Sequence, residues 1–169
     1  MTKLFLILIS LLFVQSCSNF TPLYKEKDLF SKNLKAFVVI TDKKKISLSI
    51  KKNLLKKLPS AGNNINYILK IETLIDNTST ATDTQRKTSG YEIITTSKVI
   101  LYSREQKLDK EVFLFEEKSA GLFNFSPNQV LSTLAARNRI LDNSSDDLSD
   151  IILYRLMIYF ASLENDSKE

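Results

Sequence analysis

Few residues in this 169-residue chain have the type and spacing to do chemistry. Its only cysteine, Cys17, sits in "VQSCSNFTPLY" directly behind an apolar run, and the chain has no histidine. A lone cysteine excludes an internal disulfide, so the thiol stands as a nucleophile or a buried filler. Without histidine there is no ordinary general base, which removes a Ser-His-Asp or Cys-His arrangement. Ser49 and Lys52 in "SIKK" lie one helical turn apart, but such pairs arise by chance in any lysine-rich helix. Asp142, Asp146 and Asp147 form the one acidic cluster, and "DNSSDD" lacks the glycine and closing glutamate of a calcium loop. A solvated helix face is the expected reading. With three glycines no phosphate-cradling loop is expected. The expectation is a protein that is not an enzyme, with no catalytic residue, metal site or cofactor.

The surroundings of Cys17 give it a role. Residues 1–16 read as a start Met, Lys3, the apolar run "LFLILISLLFV" and then "QS". A membrane-spanning helix needs about 20 apolar residues, roughly twice this run. A positive start, a short apolar core and a small residue before the cleavage point describe a secretory leader. Val14 three positions before the cysteine and Ser16 just before it resemble the lipobox of bacterial lipoproteins. The sulfur would carry a diacylglycerol there, because no other side chain in the stretch is a comparable nucleophile. Acyl chains on Cys17 would hold the protein on a membrane. Ser18, rather than aspartate, follows the cysteine, which by resemblance to lipoprotein sorting implies the outer membrane, periplasmic face. The rival readings are an ordinary leader with an incidental cysteine, or a buried cytosolic thiol.

The elements behind the leader read as one domain. Residues 17–35 are a polar tether, 36–163 the domain and 164–169 a tail. "AFVVI" (36–40) is a β-branched and aromatic run, read as a strand. Ile46, Ile50, Leu54 and Leu58 follow at spacing four among lysines, an amphipathic helix that Asp42 can cap and Pro59 closes. Its apolar stripe is expected to cover a sheet, with an anionic membrane surface as the rival occupant. "AGNN" is a turn, and "NYILKIETLID" alternates as a strand. "NTSTATDTQRKTS" reads either as a loop or as strand ends running past the core. "GYEIITTSKVILYSR" and "EVFLFEEKSAGLFNF" are two more strands around the turn "EQKLDK", the second with a bend at Gly121. Ser126, Pro127 and Gln129 form a helix-start signature, and Val130, Leu134, Leu141, Leu148, Ile152 and Tyr159 continue as a helical stripe. Ser144 or Ser145 could restart that helix, so a kink across 142–147 is possible on sequence grounds. The fold class expected is α+β: two helices packed on one face of a four-stranded, mainly antiparallel sheet, in the order β-α-β-β-β-α.

The net charge of +5 and pI near 9.2 permit an acidic partner, although the lysines are scattered as in any chain with a Lys/Asn bias. Nucleic acid is not expected of a secreted chain.

Three stretches carry a resemblance to a known family. "CSNFTPLY" is similar to a Cys-Gly-Phe-x-Pro-Leu-Tyr opening, with Ser18 and Asn19 in place of the glycine. "TQRKTSGYEIITTSKVIL" is similar to an arginine-bearing strand start, and "STLAARNRILDNSSDDLSDIILYRL" to a C-terminal helix that opens Thr-Leu-Ala-Ala. Together they resemble the LPS-assembly lipoprotein family LptE, also called RlpB. The resemblance implies a plug and assembly partner of an LptD-type outer-membrane β-barrel that contacts lipopolysaccharide on its way to the cell surface. By match to the family's basic positions it implies Arg86 and Arg137 as lipopolysaccharide contacts, with Lys87 and Arg139 as neighbours. Arginine suits lipid A phosphates because its guanidinium pairs bidentately. The alternative is a free lipid-anchored periplasmic protein that binds a ligand or stiffens the envelope.

Overall fold

The computed structural model describes residues 37–58, 65–82, 88–105, 108–125 and 128–166. Six elements follow in the expected order: β1 (Phe37–Thr41), α1 (Lys45–Lys57), β2 (Tyr67–Thr82), β3 (Thr88–Glu105), β4 (Leu108–Asn124) and α2 (Val130–Asp166). The leader, the tether and the "AGNN" turn lie outside the described residues.

The strands lie in the order β1-β2-β3-β4. β1 pairs parallel with β2, Phe37 opposite Tyr67, and needs a crossover, which α1 supplies. β2, β3 and β4 form an antiparallel meander. The sheet is mixed and mostly antiparallel, with both helices on one face. Its three long strands have 16, 18 and 17 residues, so the largest spans about 60 Å at ~3.3 Å per residue. The polar stretch after Asp76 continues as strand as far as Thr82, so the strand ends do run past the core.

Gly121 does not bend β4. It stays in register opposite Ile93, and the irregularity is at the other end, where Leu101 pairs with Phe113 but Tyr102 with Glu111. Val112 is the extra residue, and both it and Phe113 pack against the core. The glycine serves close approach instead: a Cβ there would sit 2.5 Å from Ile140 Cγ2 of α2.

Alternation decides which face is buried. Leu69 and Ile71 of β2 and Val99 and Leu101 of β3 point to the helices and are fully buried. Ile50 and Leu54 of α1 and Leu148, Ile152 and Leu156 of α2 meet them from above, also fully buried. Phe37, Tyr67 and Phe160 close the end of this core, with ring centroids 5.1–5.6 Å apart, the spacing of stacked and edge-on pairs. The apolar stripe of α1 is therefore spent on the sheet.

α1 starts without a side-chain cap on Lys44. Asp42, two residues earlier, does not cap it but ties its start to β2: its carboxylate accepts from the backbone N–H of Lys44 and of Thr73 at 3.4 Å each. The Ser126–Pro127 start signature lies outside the described residues, and α2 begins at Val130, with Gln129 O accepting from Thr133 N at 3.0 Å.

α2 is continuous for 37 residues, about 55 Å at ~1.5 Å per residue, so the helix does not restart within 142–147. The polar stretch 142–147 survives because its serines have partners. Ser145 Oγ donates to Asp142 O at 2.8 Å, Ser149 Oγ to Asp146 O at 2.7 Å, and Ser119 Oγ to Ser144 Oγ at 3.2 Å. Asn53 of α1 donates to Asp146 at 2.6 Å, and Lys57 pairs with Asp150 at 2.5 Å. Helix–helix packing, not propensity, carries the helix through that stretch.

Candidate binding groove

At ~1.5 Å per residue α1 covers only about 20 Å of the sheet, so α2 runs on alone over the distal half of β4. Where the start of α1 meets this part of α2 there is a groove of about 240 Å³. Its apolar floor is Ile46, Ile75 and Leu141, and Lys44, Lys45 and Arg137 supply cations at its rim. Asp142 is the one carboxylate in its lining.

Each side chain is there for a local reason. Ile46 starts the inward stripe of α1, and Lys44 and Lys45 fall at its first turn because "KKK" precedes the stripe. Lys44 is held by a hydrogen bond from its Nζ to Thr73 O and by Asp42 at 3.5 Å. Burial pushes the Asp42 carboxyl up. Hydrogen bonds from Ser47, Thr73 N–H and Lys44 N–H, with the Lys44 charge, outweigh that and hold it below its ordinary value. Ser47 also shares a 2.5 Å hydrogen bond with Thr73 Oγ1. The groove wall on the α1 side is thus pinned to β2.

On α2, Asn138 and Leu141 line the groove, and Leu134 and Leu131 extend the same helical face at spacings of four and three. Leu134 is 50% exposed and Leu131 84%. Val130 and Phe125, shortly before them in the chain, are also exposed. Exposed apolar surface gathered in one place marks a contact site. A cationic rim leading into an apolar track suits an amphiphilic anion, a phosphate or carboxylate joined to hydrocarbon.

The structure separates the predicted site residues. Arg137 is at the groove and half-buried, whereas Arg139, two positions on and turned away by helical geometry, is exposed and outside the lining. Cys17, Arg86 and Lys87 lie outside the described residues. Lys44 and Lys45 were missed as partners of Arg137. The signal was present: three lysines at a helix start oppose the helix dipole and call for a reason.

The Ser49–Lys52 pair gains no catalytic geometry: Ser49 lines the groove and Lys52 is exposed on the outer side of α1. Among the described residues no cluster of acidic or thiol side chains could hold a metal ion. No described helix is long and apolar enough to cross a membrane.

No protein-family model matches the sequence, and no curated protein matches it. Solved structures do share the fold. Rare lipoprotein B from Shewanella oneidensis is similar at a TM-score of 0.56 and 14% identity, covering 79% of this chain and 98% of that one. Uncharacterized lipoprotein B from Nitrosomonas europaea is similar at 0.60 and 11%, covering 74% and 83%. A minor lipoprotein from Acinetobacter baumannii is similar at 0.54 and 12%, covering 75% and 92%. The chain has the fold of these lipoproteins over nearly their whole length.

Proposed function

We propose that the chain is an outer-membrane lipoprotein, anchored through acyl chains on Cys17, that plugs an LptD-type β-barrel and helps it assemble. In this reading it contacts lipopolysaccharide during transport and insertion at the outer membrane, and it catalyses nothing. The observation that carries the reading is the fold shared with rare lipoprotein B, joined to a leader that ends at the only cysteine.

The groove supports the lipopolysaccharide part. Lipid A combines phosphates with acyl chains, and Arg137, Lys44 and Lys45 stand over an apolar floor that leads to Leu134 and Leu131. Among the described residues no carboxylate forms an ion pair with Arg137, which leaves its guanidinium available for a phosphate. Arg86 keeps its role as a contact proposed from the family resemblance, and Lys87 and Arg139 those of neighbours.

Pull-down of the mature, acylated protein from detergent-solubilised membranes should recover a large β-barrel in a one-to-one complex. Recovery of the protein alone would count for the free periplasmic reading. Lipid A binding should fall by about tenfold or more in Arg137→Glu, the scale of one lost charge-assisted contact, with an unchanged melting temperature. Equal binding by that variant would remove the groove from the site.

A further inference from the structure

The helix that contributes Lys44 and Lys45 to the groove has a second side. α1 contains no acidic residue. Lys45, Leu48, Lys52, Leu55 and Lys56 recur at spacings of three, four, three and one, and all five are exposed, so they share the side opposite Ile46, Ile50 and Leu54. Leu48 and Leu55 are each 51% exposed. Among the described residues no carboxylate forms an ion pair with Lys45, Lys51, Lys52 or Lys56. Lys57, in contrast, turns inward and is paired with Asp150 at 2.5 Å. The outer side of α1 is a ridge of unneutralised cations with two leucines set among them.

A bilayer is one surface such a ridge could meet. An interfacial helix, however, inserts a continuous apolar face, and that face of α1 is buried on the sheet. Two half-exposed leucines two turns apart do not replace it. A protein wall fits better: leucines take shallow pockets at the centre of a contact while lysines at its margin meet carboxylates. Taking these lysines into a barrel lumen without anions opposite them would carry a heavy desolvation penalty.

Resting on the plug reading above, we infer that the Lys45–Lys56 ridge of α1 docks against a carboxylate-rich patch on the inner wall of the partner barrel. The acidic patch sets the orientation of the plug, and Leu48 and Leu55 fix its register.

The test co-expresses the full-length chain with the LptD-type barrel of the same organism and measures complex retention at salt from about 0.05 to about 0.5 M. The variants are Lys45→Glu/Lys52→Glu/Lys56→Glu and, separately, Leu48→Ala/Leu55→Ala. The triple reversal should weaken the complex about 100-fold or more at low salt, with an unchanged melting temperature because those side chains are exposed. The leucine pair should weaken it at all salt concentrations. A wild-type chain that retains no barrel overturns the plug reading and this inference with it. A wild-type complex that the triple reversal leaves intact overturns the inference alone. Binding of the unlipidated wild-type protein, but not the triple variant, to phosphatidylglycerol vesicles would also overturn it, assigning the ridge to the bilayer.

Discussion

Two halves of one sheet face are built from different side chains. Across the proximal half, helix-facing residues in register are Val39, Leu69, Leu101 and Phe113, then Thr41, Ile71, Val99 and Phe115. Two rows on, they become Thr73, Ser97 and Glu117, then Ile75, Thr95 and Ser119. The proximal rows bury hydrocarbon under both helices. The distal rows bury hydroxyls under α2, beside a groove and an exposed leucine track. Buried hydrocarbon is concentrated at one end and the groove lies toward the other, the arrangement expected of a rigid scaffold that presents a less tightly packed site.

Substitutions should grade along that axis. Leu148→Ala or Ile152→Ala, each at a fully buried proximal position, should cost about 2–5 kcal/mol in urea unfolding. A cost under about 1 kcal/mol would place the stable core elsewhere.

Gly121→Ala tests the close passage of α2 over the distal half. The new methyl would collide with Ile140 Cγ2, so a loss of about 1–3 kcal/mol is expected. Adding Ile140→Ala should recover part of it. A loss with no recovery would trace to the strand rather than to the helix contact.

Thr95 Oγ1 and Ser97 Oγ are buried without a hydrogen-bond partner. Thr95→Val keeps the shape and removes the hydroxyl, so thermal unfolding should show a gain of about 1 kcal/mol. Destabilisation instead would reveal a water-mediated partner for that hydroxyl.

The smallest effect concerns acid. The Asp42 carboxyl lies below its ordinary value of 3.8 in the folded chain. The folded state then binds its proton less readily than the unfolded state. Asp42 therefore stabilises the fold above that ordinary value, and the contribution is lost as pH falls through the depressed one. Asp42→Asn should flatten the acid-side decline of melting temperature in that window. An identical pH profile in wild type and variant would show that the start of α1 is held by other contacts.

Much of this was legible in advance, for identifiable reasons. The period-two run from Tyr67 to Ile75 and the spacing of Ile46, Ile50 and Leu54 carry their own geometry, so the elements and their inward faces could be read directly. Arg137 was singled out through a family resemblance, but its place beside Lys44 and Lys45 at one groove was not legible, because they come from stretches some ninety positions apart. The fresh helix start that "DNSSDD" offered on sequence grounds is not taken, for the same reason. The stretch is a poor helix former taken alone, and it is held by Asn53 and Ser119, which no local reading connects to it.

Local periodicity needed only the chain: it determined the six described elements, their order and their inward residues. Which serines would be buried, why Gly121 is a glycine, and which lysines gather around Arg137 were decided by how α2 lies across the sheet. That placement depends on side chains far apart in sequence making contact, and a one-dimensional pattern carries no term for such contacts.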